Sequence, residues 1–148
     1  GCVEPTACHK TDGWHDAAFF NMVRPLELVF SQGMDKGVQI GPKTPDVLTM
    51  TSFDEFFDAY KTQENFMIEM LVQADNAVDA AHAARCPLPF ESCMIDDCLS
   101  KGKSIQEGGA HYNFTGPQGF GIANMADSLY AIKTLVYDQK KITIENRI

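Results

Sequence analysis

The chain has 148 residues and is 45% hydrophobic, enough to build one apolar core. Its 12 Lys and Arg against 20 Asp and Glu give a formal charge of −8, which argues against nucleic acid, because phosphates demand a basic patch. No apolar run is long enough to span a bilayer, so a cytoplasmic protein with no membrane partner is expected.

Gly1 to Gly13 reads as loop. Within it, Gly1-Cys2-Val3-Glu4-Pro5 sets a thiol and a carboxylate two positions apart, between a residue that frees the backbone and one that restricts it. The carboxylate opposes thiolate formation, which is poor for a nucleophilic cysteine. It suits a cysteine that keeps its S–H and gives up a hydrogen atom, with Glu4 free to take a proton. The same five residues also fit an ordinary buried cysteine near a surface glutamate.

A helix is expected from about Asp16, turning Phe19, Phe20, Val23, Leu26 and Phe30 inward, with Asp16 as its cap and Pro25 as a kink. Gly33, Gly37, Gly41, Pro42 and Pro45 mark a turn-rich stretch with one short hairpin. Ser52 and Glu55 form a capping box that opens the longest helix, from about Phe53 to Arg85. Its Phe53, Phe56, Phe57, Tyr60, Met67, Leu71, Ala74 and Val78 follow helical spacing and are assigned to core. Pro87 and Pro89 stop it, and a shorter helix runs from about Phe90 to Ser100, before Gly102. Ala110 to Thr115 alternates like a strand, ended by Gly116-Pro117-Gln118-Gly119. A last helix covers about Ala123 to Tyr137. This strand, loop and helix order suits a β/α barrel.

The five cysteines, Cys2, Cys8, Cys86, Cys93 and Cys98, are irregularly spaced and form no CxxC pair, so a zinc ribbon is not expected. Reduced thiols in an intracellular, anaerobic setting account for them. Cys2, Cys8, His9 and His15 can be drawn as a metal site, but at no standard spacing.

Three further stretches join the Gly-Cys-Val-Glu head: Gly13-Trp14-His15-Asp16-Ala17-Ala18-Phe19-Phe20-Asn21, Gln39-Ile40-Gly41-Pro42-Lys43-Thr44 and Tyr112-Asn113-Phe114-Thr115-Gly116-Pro117-Gln118-Gly119. Together they resemble the glycyl radical enzymes, related to pyruvate formate-lyase, and within them the B12-independent glycerol and propane-1,2-diol dehydratases. The resemblance runs from Gly1 to about Thr143. It implies an α/β fold: a mainly helical segment of a ten-stranded β/α barrel, with residues 1–148 part of a single catalytic domain. The family's proteins are several times longer, and both ends of this chain look cut, so an internal piece lacking the C-terminal glycyl radical domain is expected.

By the same resemblance, Cys2 is the thiyl that takes hydrogen from the diol carbon and Glu4 is the base. Asp16 is the carboxylate that holds substrate hydroxyls. No cofactor is expected to bind directly. The radical rests on a glycine outside these residues, installed by an activating enzyme that uses S-adenosylmethionine and an iron–sulfur cluster. A small polyol, that activating enzyme and a second copy of the chain are the implied partners, and a bacterial microcompartment is an alternative location. Val3 stands where pyruvate formate-lyase has a second cysteine, which favours elimination over acyl transfer. Three alternatives stay open: another eliminase of the family acting on hydroxyproline, choline or a sulfonate, a non-catalytic truncated product, and a small metal-binding module.

Overall fold

The computed structural model describes residues 6–11, 14 and 16–145. In chain order they form β1 (Phe19–Asn21), α1 (Arg24–Phe30), β2 (Met34–Asp35), β3 (Val38–Gln39), α2 (Phe53–Arg85), α3 (Pro89–Ser92), α4 (Cys98–Lys101), β4 (Gln118–Phe120) and α5 (Ile122–Ala131). A π-helical segment, Ile132–Asp138, follows α5, and short 3-10 turns lie at Val47–Thr49 and Ile105–Glu107. The fold is mixed helix and strand. The described strands make two two-stranded sheets, β1 with β4 and β2 with β3. Strands so few cannot close a barrel by themselves.

Packing divides the chain into two units. One holds the described residues of Gly1–Phe20 with Leu71–Gln118; the other holds Asn21–Met70 with the described residues of Gly119–Ile148. The helix α2 contributes residues to both.

In the second unit, α1 begins at Arg24, later than the sequence suggests, because Phe19–Asn21 is extended and pairs as β1. Pro25 then falls in the first turn, where its missing N–H costs nothing, and it produces no kink. The expected hairpin forms, with Met34 opposite Gln39 and Asp35 opposite Val38. Its base is closed by Gly33, whose φ of +81° and crowded Cα admit only glycine, and whose carbonyl accepts from Ile40 N and Gly41 N. The Gln39–Thr44 stretch is thereby structural. Gln39 Nε2 donates to the carbonyls of Gln32 and Gly41, and the buried Gln63 on α2 donates through Nε2 to Pro42 O at 2.7 Å.

Helix α2 has the predicted bounds. At its start Ser52 Oγ accepts from Glu55 N at 3.3 Å, half of the expected capping box, while the Glu55 carboxylate reaches one residue further back, to Thr51 N at 2.7 Å. The Thr51 N–H holds the Glu55 carboxyl below its ordinary range. Phe56 and Tyr60 are buried with Leu26, Val29, Val47, Ala59 and Leu129 in the main core. Phe53, Phe57 and Tyr60 stack successively at 5.8 and 6.0 Å. Burial, with Glu64 accepting from its hydroxyl at 3.0 Å, pushes the Tyr60 phenol up. The periodic stripe continues into Met67, Leu71 and Val78, but these are not buried by the described residues, and Val78 is 39% exposed.

In the first unit, the helix expected over 90–100 is divided into α3 and α4. Asp97 adopts a left-handed conformation (φ +76°), which an aspartate tolerates, and accepts from His111 Nδ1 at 3.0 Å. That hydrogen bond holds the Asp97 carboxyl below its usual range. Ser92 is buried and bridges Leu88 O and Ile105 N, so the chain must turn there. Cys98, Ile105 and Ala110 form a small core, and burial pushes the Cys98 thiol up.

Candidate active site

The site is built in the first unit, where two loop segments run side by side. Thr11 pairs with Tyr112, and Trp14 with Thr115, in parallel bridges. Tyr112 N donates to Lys10 O and Gly116 N to Trp14 O, each at 2.9 Å; Ala17 N then donates to Gly116 O at 3.3 Å and Gln118 N to Ala18 O at 2.8 Å. The strand expected over 110–115 is therefore reduced to single bridges, and the regular strand β4 forms in the glycine-rich stretch expected to end it. Glycine and proline there leave too few side chains for the alternating pattern that sequence reading depends on.

This ladder places Asp16 beside Gln118, whose Nε2 donates to Asp16 Oδ1 at 2.6 Å. Asp16 does not cap a helix, because β1 follows it. Its carboxylate is exposed and held in one orientation by an amide, an arrangement suited to accepting hydrogen bonds from a polar ligand. Cys2, Glu4 and His15 lie outside the described residues.

Beside the ladder is a cavity of about 700 Å³, whose lining includes Trp14, Asp79, His82, Cys86, Tyr112 and Thr115. Asp79 and His82, three apart on α2, both meet Trp14: Asp79 Oδ1 accepts from the indole N–H at 2.9 Å, and the His82 ring lies 5.0 Å from the indole. Thr115 donates its hydroxyl to the other oxygen of Asp79. Sequence reading assigned no role to Asp79 or Gln118. Gln118 stood within a quoted stretch, whereas Asp79 sits in an alanine-rich helical run with no local signal at all. Among the described residues, no three His, Cys, Asp or Glu side chains converge to hold a metal ion.

A family model described as pyruvate formate lyase-like matches residues 1–147. The chain belongs to this family. Among curated proteins, (2S)-3-sulfopropanediol dehydratase of Klebsiella oxytoca is 40% identical over 143 residues, which are 95% of this chain and 17% of that protein. A solved structure concerned with 1,2-propanediol dehydration in Roseburia inulinivorans is 63% identical, with a TM-score of 0.94 over 98% of this chain and 18% of that one. The glycerol-bound form of the B12-independent glycerol dehydratase from Clostridium butyricum is 57% identical, with a TM-score of 0.92 over 97% of this chain and 18% of that one. The chain thus spans less than a fifth of the length of these relatives.

Proposed function

We propose that this chain is the active-site-loop segment of a glycyl radical dehydratase acting on a small polyol, glycerol or propane-1,2-diol. The observation that carries the reading is the 63% identity and 0.94 TM-score to the structure concerned with 1,2-propanediol dehydration. In this reading β1 and β4 belong to a ten-stranded β/α barrel in a single catalytic domain. The whole protein is cytoplasmic, or housed in a microcompartment, and pairs with a second copy.

Breaking a C–H bond beside a hydroxyl is beyond ordinary acid–base groups. The hydrogen-abstracting power comes from a radical on a glycine outside these residues, installed by an activating enzyme with S-adenosylmethionine and an iron–sulfur cluster. Cys2 passes its thiol hydrogen to that glycyl radical and, as the resulting thiyl, takes the hydrogen atom from the hydroxyl-bearing carbon. Glu4 takes the proton from that carbon's hydroxyl, and the negative oxygen drives out the neighbouring hydroxyl, which takes a proton from an acidic group outside these residues and leaves as water. Cys2 then returns its hydrogen atom to the product. Asp16, oriented by Gln118, accepts hydrogen bonds from the substrate hydroxyls.

The test uses the activated full-length protein under anaerobic conditions, with the dehydrated product of each substrate measured by mass spectrometry. Glycerol or propane-1,2-diol should give a kcat/KM far above those for hydroxyproline or sulfopropanediol, and the opposite order would overturn the substrate class. Cys2→Ala and Glu4→Gln should abolish turnover while the glycyl radical signal persists. Dehydration retained by either variant would remove its assigned role.

A further inference from the structure

We propose that Asp79 is a positioning residue for the Asp16 carboxylate, acting through Trp14 and Thr115; the proposal rests on the reading that Asp16 grips a substrate hydroxyl. The two oxygens of Asp79 take one donor from each of the two paired segments, the indole N–H of Trp14 on one side and the hydroxyl of Thr115 on the other. Those two residues are themselves a bridge pair. A single carboxylate on a long helix therefore clamps both segments at one rung.

Asp16 and Gln118 lie just beyond that rung, two residues past Trp14 and three past Thr115. Between the clamp and the Asp16–Gln118 hydrogen bond, the described residues are tied by Gly116 N to Trp14 O, Ala17 N to Gly116 O and Gln118 N to Ala18 O. With so short a ladder, a shift at the Trp14–Thr115 rung passes to the Asp16 carboxylate with little loss. Displacing a substrate-gripping group by a fraction of an ångström weakens ground-state binding before it alters bond breaking. Asp79 itself has no need to touch substrate. The tilted packing of the His82 ring against Trp14 adds a second contact from the same helical face, so the indole is held in position and direction.

The experiment is a double-mutant cycle in the activated full-length enzyme, with the glycyl radical signal confirming assembly in each variant. Asp79→Ala should raise KM for the diol about tenfold, with kcat changed by less than about threefold. Thr115→Val, which removes one donor, should raise KM by a smaller factor. Asp79→Asn should stay near wild type, because its amide oxygen still accepts from Trp14 and its NH₂ can donate to the Thr115 hydroxyl. In an Asp16→Ala background, neither Asp79→Ala nor Thr115→Val should raise KM further.

Unchanged KM in both single variants, or effects that multiply with Asp16→Ala, overturn the proposal and leave Asp79 a structural tie. If Asp16→Ala alone leaves KM unchanged, the assignment of Asp16 to substrate is wrong and the proposal falls with it, a result distinct from the other two. Where Asp79→Ala yields no radical, Thr115→Val and its cycle with Asp16→Ala decide the matter.

Discussion

Gly41→Ala probes the Gln39–Thr44 stretch, one of the stretches that carry the family resemblance. A Cβ added at Gly41 would lie 2.2 Å from Gln63 Oε1, where ordinary contact starts at 3.4 Å. Gln63 is fully buried, so its amide cannot swing into solvent. It must retreat by about 1 Å, far enough to strain the 2.7 Å hydrogen bond from its Nε2 to Pro42 O. Losing that buried hydrogen bond costs about 1–3 kcal/mol, and an off-rotamer side chain adds about 1 kcal/mol, so about 2–4 kcal/mol is expected. Hydrogen exchange in the full-length protein reads this locally: the Ile40 and Gly41 amides, both bonded to Gly33 O, should exchange about 30–1,000-fold faster. In a Gln63→Ala background the clash is gone, and Gly41→Ala should become neutral or slightly stabilising through the smaller entropy of the unfolded chain. Exchange unchanged in Gly41→Ala, or the same acceleration in both backgrounds, would refute the steric account.

Other consequences follow from individual contacts. Phe56→Ala empties the centre of the main core, where the ring is 0% exposed, and should cost about 3–5 kcal/mol, seen as a large fall in melting temperature of the full-length protein. Gly33 and Gly37 share a positive φ, but a Cβ at Gly33 meets Pro42 O at 2.5 Å whereas one at Gly37 meets nothing within 4 Å. Gly33→Ala should therefore cost more than about 3 kcal/mol and Gly37→Ala about 1 kcal/mol, and equal losses of hairpin protection would contradict the role of close approach. The Glu55 carboxyl is lowered on folding, chiefly by the Thr51 N–H, so its contribution is complete above the unfolded value of about 4.3 and is lost as pH falls through the folded value. Glu55→Gln should lower the melting temperature near neutral pH, and the gap to wild type should close as pH falls below the unfolded value of about 4.3; a gap independent of pH would remove the assignment.

The sequence alone determined what depends on near neighbours. Helix α2 has its predicted bounds because a cap, a 3.6-residue apolar repeat and a proline stop all act within a few residues of one another. Of the expected stripe, its first turns bury Phe56 and Tyr60. The hairpin after Gly33 is equally local. Family membership was legible too, since the motifs survive as strings of residues.

The tertiary structure decided whatever depends on distant pairing. Phe19–Asn21 looks like the start of a helix, yet it is extended because it pairs with residues nearly a hundred positions away, and α1 then starts with Pro25 already in its first turn. Asp97 breaks a continuous helix to meet His111. Asp16 was nominated as a residue, but its partner Gln118 lies 102 positions along the chain. The clamp on their ladder, Asp79, lies 65 positions from Trp14 and 36 from Thr115. A hydrogen bond between side chains so far apart in sequence leaves no periodicity or spacing to read, because the fold, rather than the local chain, supplies the distance between them.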